Sequence, residues 1–446
     1  MTIDTKNQKP SKILIVSHGH PDETPGGGEI CAFESFQTFR TFQDIEARFL
    51  FARDAVPRYT AVPVCIDRFK GREDEYYFPV SAETPFHTSY RFFDDSRSFD
   101  EQFEREIIAF LQNYNPNVVH FHHYYRVGLE LISLARKALP QAVICLTLHD
   151  YKAICPWNGH MVRRHEERSP GGIKQLCSEA SLQRCMQCCD DRTVEELLTR
   201  EAFVRSSLRN VDLFFAPSTY LKQRYLDWGL PTNKIVYLEN GRKYSSPSKY
   251  PVLHSAQKFN RFAFFGRPTK LKGLDTFLQA ISILATQSFT AAKFFINSSE
   301  LNEQKELIDL IQSTVKGCKC EVNVLGAYRP DELVARMELV DWVVVPSIWW
   351  ENSPLVIQEA FIHGRPVICS NVGGMAEKVK HNINGLHFEV GNAAALAEAI
   401  NAVCFDAELW NRLSKQVPKI ESVESSCSAM LNWYQVLWGN RQISMT

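Results

Sequence analysis

Short apolar runs alternate with amphipathic stretches along most of the chain. Residues 12–17 form a mostly apolar run that is typical of a buried parallel strand, and a glycine-rich loop and a helix-like stretch over 30–42 follow it. With one interruption, the same alternation continues to residue 238, and it starts afresh at Phe262. Strands and helices that alternate in two halves predict two doubly wound α/β domains.

Changes in composition predict where these domains begin and end. We expect an N-terminal domain over residues 1–245, a polar linker over 246–258 and a C-terminal domain over 259–420. For residues 421–446 we expect a last helix that crosses back to the N-terminal domain. The interruption covers residues 151–193, which are rich in Cys, Arg and Gly; irregular stretches of this length are usually functional or an insertion.

The charge balance and the apolar content limit the classes of protein that remain. Among the 446 residues, 50 Lys and Arg stand against 51 Asp and Glu, a net charge of -1 that argues against a nucleic-acid partner. No apolar run approaches the roughly 18 residues of a membrane span, and the chain begins with a polar stretch. The sequence therefore predicts a cytoplasmic protein, and it leaves peripheral contact with the inner face of a membrane open.

Residues 347–364 combine a predicted helix start with two carboxylates. Ser353 is a suitable N-cap and Pro354 fits the first helical position. This helix would start just past the carboxyl end of a strand, where its free amides can bind an anion. Glu351 and Glu359 suit hydrogen bonds to sugar or ribose hydroxyls, since an ionised carboxylate only accepts. Two solvated glutamates beside an ordinary cap would show the same pattern.

A basic loop, GRPTKLKG, lies between the first strand and the first helix of the second half. Arg267 can bind a diphosphate through its planar fork and Lys272 as a point charge. Gly266 and Gly273 allow the backbone to approach a ligand closely. A basic turn on the protein surface is the alternative interpretation.

Taken together, these segments resemble the retaining glycosyltransferases of family 4. The resemblance covers nearly the whole chain, and its motifs occur in the family's order at strand ends and helix starts. They are the glycine loop at 26–28, VVHFHH at 118–123, TLHD at 147–150, APSTYL at 216–221, ENG at 239–241, the basic loop at 266–273, LGxY at 325–328, the pair of glutamates at 351 and 359, VGGMAE at 372–377 and NGLHF at 384–388. The family implies the GT-B fold, in which two Rossmann-like domains face each other across the active-site cleft.

The resemblance also implies a role for each candidate residue. His149 would lie near the transferred sugar on the acceptor side, and Glu351 would contact that sugar without acting as a nucleophile. Glu359 would bind the ribose of the donor, and the cations and glycine amides would stabilise the diphosphate. The implied donor-binding residues are Gly26, Gly27, Arg267, Lys272, Ser353, Pro354, Leu355 and Glu359.

The expected reaction is transfer of a sugar from a UDP-, GDP- or ADP-sugar to a glycan or a lipid-linked acceptor, by front-face attack. The chain has no Asp-x-Asp signature, so we expect catalysis to require no metal cofactor at the diphosphate. A GT-B sugar-nucleotide epimerase and a catalytically silent scaffold subunit remain as alternatives. A dinucleotide oxidoreductase fits less well because the glycine loop lacks the G-x-G-x-x-G spacing.

Five of the 13 cysteines fall in residues 151–193. Cys185 and Cys188 have metal-ligand spacing, and Cys155 and Cys177 would complete a structural zinc site of four thiolates. Unliganded thiols are the alternative. Other ligands for such a site are His160, His165 and Cys189, and an iron–sulfur centre stays open.

Overall fold

The structure is a computed structural model, and it divides the chain into two compact units. It describes residues 9–54, 66–80, 101–157, 159–163, 176–244, 259–287, 292–298, 305–317, 320–404 and 406–443. The first unit consists of Met1–His160, Glu179–Lys243 and Glu421–Thr446, and the second of Met161–Ser178 and Tyr244–Ile420. The predicted linker, 246–258, lies outside the described residues.

Strands and helices alternate in both units, as the sequence predicts. The strands are β1 Lys12–Ser17, β2 Glu46–Asp54, β3 Asp67–Arg68, β4 Glu75–Val80, β5 Val118–Phe121, β6 Val143–Thr147, β7 Leu213–Ala216, β8 Ile235–Tyr237, β9 Arg261–Phe265, β10 Lys293–Asn297, β11 Glu321–Val324, β12 Trp342–Val345, β13 Val367–Ser370 and β14 Gly385–Phe388. The helices are α1 Gly27–Phe39, α2 Glu101–Tyr114, α3 Leu129–Ala138, α4 Leu182–Cys188, α5 Val194–Leu208, α6 Thr219–Asp227, α7 Leu274–Thr286, α8 Lys305–Gly317, α9 Leu333–Glu338, α10 Leu355–Ile362, α11 Gly373–Lys378, α12 Ala393–Val403, α13 Ala407–Ser414 and α14 Val423–Ile443.

The sheet of the first unit has the strand order β3-β4-β2-β1-β5-β6-β7-β8 over the described residues. Its pairs are parallel except β3 with β4. Strand β1 pairs with β2 on one side and with β5 on the other, so the chain reverses its direction across the sheet at this point. Ligands of open α/β sheets bind beside the carboxyl ends of the strands at such a switch point.

The sheet of the second unit is parallel and has the order β11-β10-β9-β12-β13-β14. Its switch point lies between β9 and β12, which pair directly although β10 and β11 separate them along the chain. The loops after β9 and β12 therefore leave the same edge of the sheet side by side. The first of them carries Arg267 and Lys272, and the second carries Glu351, Ser353 and Pro354.

The last helix, α14, belongs to the first unit and packs on α1. Tyr434 of this helix shares a hydrogen bond of 2.5 Å with Nδ1 of His120, whose Nε2 lies 2.8 Å from the hydroxyl of Thr147. Burial, together with His149, lowers the pKa of His120 to about 3. The helix is thus attached to the centre of the sheet through a neutral, fully buried imidazole.

Some local predictions are wrong. Strands β2, β3 and β4 are not predicted, and helix α4 lies inside the stretch that the pattern assigns to irregular structure. Among the described residues, no helix is both long enough and apolar enough to cross a bilayer.

Candidate functional site

The loops after β9 and β12 touch each other in the second unit. The backbone amide of Ile348 donates to the carbonyl of Leu271 at 2.8 Å. Gly273 has a φ of +71°, and a Cβ placed on it would lie 1.9 Å from the carbonyl oxygen of Pro346. Only glycine fits there, since it alone lacks a Cβ and adopts this conformation without strain. This close approach brings the basic loop against the loop that carries Glu351.

The carboxylate of Glu351 is the centre of this contact. Its Oε1 accepts hydrogen bonds from Nζ of Lys272 at 2.6 Å, from Oγ of Ser347 at 2.8 Å and from Nε1 of Trp349 at 2.9 Å. The ammonium of Lys272 also lies 5.6 Å from the centre of a Trp349 ring. The side chain of Glu351 is only 5% exposed, whereas that of Lys272 is 36% exposed. A nearly buried carboxylate thus meets a cation that still reaches solvent.

The two cations of the basic loop are not equivalent. Lys272 is bound to Glu351, whereas Arg267, two residues past the end of β9, is exposed. The sequence assigns both residues to one diphosphate clamp. Replacing Lys272 would therefore also remove a donor from a nearly buried carboxylate.

Helix α10 starts one residue later than the sequence predicts. Pro354 is its N-cap, with an extended ψ of 119°, and Leu355 is its first residue. Ser353 therefore precedes the cap, and no side-chain hydrogen bond caps the helix. The predicted cap at Ser353 is wrong because Pro354 already interrupts the helical dihedrals. Glu359 lies in the second turn and is half-buried.

Backbone contacts hold the loop of Glu351 from the opposite side. The amide of Gly374 donates to the carbonyl of Glu351 at 2.6 Å. A Cβ on Gly374 would lie 1.6 Å from the carbonyl oxygen of Asn352, so this approach also requires glycine. Trp350 donates its indole N–H to the carbonyl of Cys177 at 3.1 Å, which ties the same loop to the segment Met161–Ser178.

The glycine loop of the first unit ends at the N-terminus of α1. Gly26 is the N-cap and Gly27 the first helical residue. Oε1 of Glu29, in the first turn, lies 3.0 Å from Nε2 of His18. A Cβ on Gly26 would lie 2.5 Å from the other carboxylate oxygen of Glu29. The glycines therefore leave room for a buried carboxylate beside the free amides of this helix.

Histidines from three neighbouring strands meet near this helix start. His18 follows β1, His122 and His123 follow β5, and His149 follows β6. Nε2 of His149 lies 3.3 Å from Nδ1 of His122, and the two rings are stacked. A Cβ on Gly28 of α1 would lie 3.6 Å from Cγ of His149.

The pKa of His149 is low because its ring is buried among the other histidines of this cluster. Burial is the largest cause, followed by the positive charges that His123 and His18 would carry, and together they lower this pKa to about 3. Near neutral pH the imidazole of His149 is therefore uncharged. It can donate or accept a hydrogen bond, but it does not supply a fixed positive charge.

His123 has a partner that orients its ring. The amide of Tyr125 donates to Nδ1 of His123, so the proton is on Nε2, which lies 3.0 Å from Oδ2 of Asp150. Burial by itself would raise the pKa of Asp150, but His123 and Lys152 together outweigh this effect and hold the pKa well below its usual range. Asp150 is thus a fixed negative charge directly after His149.

The four cysteines of the predicted zinc site are divided between the units. Cys155, Cys185 and Cys188 belong to the first unit and Cys177 to the second. Within the described residues, no group of three or more His, Cys, Asp or Glu could hold a metal ion. Burial, followed by the neighbouring Cys155 and Cys188, raises the pKa of the Cys189 thiol to about 12. The zinc site stays a prediction, and one alternative ligand, His165, lies outside the described residues.

Sequence reasoning missed several residues that the structure brings to these sites. They are His18, Glu29, Ser347 and Trp349. A signal was available for each of them. His18 directly follows β1, Glu29 directly follows the glycine loop, and Ser347 and Trp349 lie within four positions of Glu351.

Comparison with known structures defines the class of fold. Over 98% of both chains, the protein superposes with a TM-score of 0.59 and 18% identity on HepE of Anabaena, a structure in complex with UDP and glucose. It also superposes with a TM-score of 0.61 and 17% identity on sucrose-phosphate synthase from Thermosynechococcus elongatus, again over 98% of both chains. Identities this low show the fold alone, which is GT-B.

Sequence comparison finds a family match in the second unit. Residues 248–420 match the model described as glycosyl transferases group 1, which confirms the resemblance to glycosyltransferases at the level of this broad group. An uncharacterized 42.6 kDa protein of the cps region of Klebsiella pneumoniae is 29% identical over 38% of this chain and 41% of its own. The lipopolysaccharide 1,2-N-acetylglucosaminetransferase of Salmonella typhimurium is 26% identical over 43% of this chain and 53% of its own. The chain thus spans about half the length of these relatives.

Proposed function

We propose that the protein is a retaining glycosyltransferase that transfers a sugar from a nucleotide-sugar to a glycan or a lipid-linked acceptor. The observation that carries this proposal is the contact of Lys272 with Glu351 at the switch point of the second unit. It joins a cation suited to a diphosphate and a carboxylate suited to sugar hydroxyls, and both come from the part of the chain that matches the glycosyltransferase model. The UDP and glucose bound to HepE support the donor class. The acetylglucosaminyl transfer named for the Salmonella relative supports a glycan acceptor.

In this proposal, Arg267 and Lys272 stabilise the charge that develops on the departing nucleoside diphosphate. Glu359 accepts hydrogen bonds from the ribose, and Glu351 accepts them from the transferred sugar. Ser353, Pro354 and Leu355 lie at the amide end of α10, which favours negative charge, and Pro354 itself has no N–H to donate.

The proposal also gives roles to His149 and to the glycine amides of α1. Since His149 is neutral near pH 7, it binds the sugar by a hydrogen bond and does not protonate the leaving group. The departing phosphate oxygen then removes the proton of the acceptor, as front-face attack requires. Gly26 and Gly27 offer backbone amides to the phosphate.

The cations and amides replace a divalent metal in this mechanism. Release of nucleotide should therefore continue after EDTA treatment. A rapid loss of activity that Mg²⁺ restores would contradict metal independence and leave the class of reaction unaffected.

A donor screen tests the proposal. The 446-residue chain is incubated with UDP-, GDP- and ADP-sugars and a mixture of glycan and lipid-linked acceptors, and the released nucleoside diphosphate is measured. We expect release from at least one donor, and the anomeric configuration of the product, read by NMR, should equal that of the donor.

A matched pair of variants links the activity to the site. Glu351→Gln should lower turnover, and Glu338→Gln, which changes an exposed glutamate of the same unit, should not. The proposal fails if no donor releases nucleotide, or if the two variants behave alike. An epimerase would instead convert the donor sugar without an acceptor, and a silent scaffold subunit would do neither.

A further inference from the structure

Two adjacent tryptophans in the loop after β12 use their indole N–H groups differently. Trp349 donates to Oε1 of Glu351 at 2.9 Å, and Trp350 donates to the carbonyl of Cys177 at 3.1 Å. An indole N–H only donates, and its rigid ring fixes the direction of that bond. One tryptophan therefore orients the candidate sugar-binding carboxylate, and its neighbour holds the backbone of the loop.

The hydrogen bonds of Glu351 are distributed unevenly over its two oxygens. Among the described residues, its side-chain bonds from Lys272, Ser347 and Trp349 all end on Oε1. A carboxylate offers about four acceptor positions over its two oxygens, so Oε2 keeps its capacity for a ligand hydroxyl. The three donors consequently hold one oxygen and leave the other for the substrate.

The three donors differ in what else they can bind. In the proposed function, Lys272 must turn its charge toward the diphosphate of the donor, and its 36% exposure leaves it accessible for that. Ser347 is 1% exposed and has no such second task. Leaving a buried acceptor without its donors costs about 1–3 kcal/mol of free energy, and more when the acceptor is charged. Two donors that remain in place would remove most of that cost.

We propose that Ser347 and Trp349 are positioning residues, which keep the carboxylate of Glu351 bound and oriented while Lys272 turns to the diphosphate. The proposal rests on the proposed function and adds to it the residues that prepare Oε2 of Glu351 for the donor sugar. It assigns no chemical step to Ser347 or Trp349, because both act through Glu351.

Paired substitutions of the two tryptophans test this role. Trp349→Phe and Trp350→Phe each keep an aromatic ring and remove one indole N–H from the same loop. We expect Trp349→Phe to lower the rate of nucleotide release at saturating donor about 10- to 100-fold, the loss that corresponds to one charge-assisted hydrogen bond. The affinity for the free nucleoside diphosphate should change less than about 2-fold, since the sugar contact is absent there. Ser347→Ala should act in the same direction and serves as the second variant if Trp349→Phe does not fold.

A double-mutant cycle separates positioning from a purely structural effect. In single-turnover reactions, Trp349→Phe should cause no further loss in the Glu351→Ala background, because its partner is gone. Trp350→Phe should have the same effect in both backgrounds. Full additivity of Trp349→Phe and Glu351→Ala would overturn the positioning role while wild-type activity persists. If the wild-type chain releases nucleotide from no donor, the proposed function fails and the positioning role fails with it.

Discussion

Removing the charge of Lys272 should lower both the stability of the second unit and the rate of transfer. Lys272→Met keeps the aliphatic stem and leaves Oε1 of Glu351 with the donors Ser347 and Trp349. Breaking a buried ion pair costs about 3–5 kcal/mol, and an exposed pair contributes about 0–1 kcal/mol. Here the side chain of Glu351 is 5% exposed and that of Lys272 is 36% exposed, and 2.6 Å separates Nζ from Oε1. The pair is therefore intermediate between these two cases, and two other donors to Oε1 remain. The expected loss of unfolding free energy therefore lies near 1–2 kcal/mol.

Thermal unfolding of the 446-residue chain at pH 7.5 measures this loss. For a unit of roughly 150–250 residues, each 1 kcal/mol shifts Tm by about 2–4 °C, so we expect Tm of the second unit to fall by about 2–8 °C. One control is matched to it: Lys415→Met changes an exposed lysine of the same unit. It should stay within about 0.5 kcal/mol of the parent.

The rate of nucleotide release separates these variants again. Lys272→Met and Arg267→Met should each lower it about 10- to 100-fold through loss of a charge-assisted contact, whereas Lys415→Met should not. Adding Glu351→Gln to Lys272→Met should recover part of the lost stability, because a neutral amide needs no cation. A Lys272→Met protein with the Tm and the rate of the Lys415→Met control would refute this account of the pair.

Other consequences can be measured independently. Glu359→Gln should weaken binding of the free nucleoside diphosphate, whereas Glu351→Gln should spare it and lower turnover; calorimetric titration of both variants decides, and equal losses of nucleotide affinity would contradict the assignment. Because the pKa of His120 is about 3 in the folded protein, only the unfolded chain binds a proton at this residue between about pH 6.5 and pH 3. The free energy of unfolding should therefore keep its full value above pH 6.5 and decrease as the pH falls toward 3. With an unfolded pKa near 6.5, this loss amounts to about 2 kcal/mol at pH 5. Denaturant titrations measure the free energy of unfolding at pH 7 and at pH 5. The decrease between these two pH values should be about 2 kcal/mol smaller in His120→Asn than in the parent. For the cysteine-rich segment, elemental analysis of protein purified without chelator should find about one zinc per chain, which Cys185→Ser abolishes; less than about 0.2 equivalents would contradict the predicted site.

Local pattern alone was sufficient for the α/β class and for the strands nearest the two switch points. Strand β1 and strand β12 are uninterrupted apolar runs, so their ends, and the loops after them, can be placed from the sequence. The strands that were missed lack this signal. Strand β4 contains Pro79, which lowers strand propensity, and β2 mixes a short apolar centre with charged residues at both ends.

The sequence by itself determined which residue types stand at strand ends and helix starts, and hence which of them could meet a sugar or a phosphate. It did not determine which of them touch. Lys272 and Glu351 are separated by 79 positions and meet because β12 pairs with β9 across the switch point. The same sheet order decides that His149 lies beside His122, and the path of the insertion decides that Cys177 falls in the other unit from Cys155. Apolar periodicity reports only the local burial of a segment. Sheet order and the approach of one loop to another depend on long-range packing, which the tertiary structure alone decides.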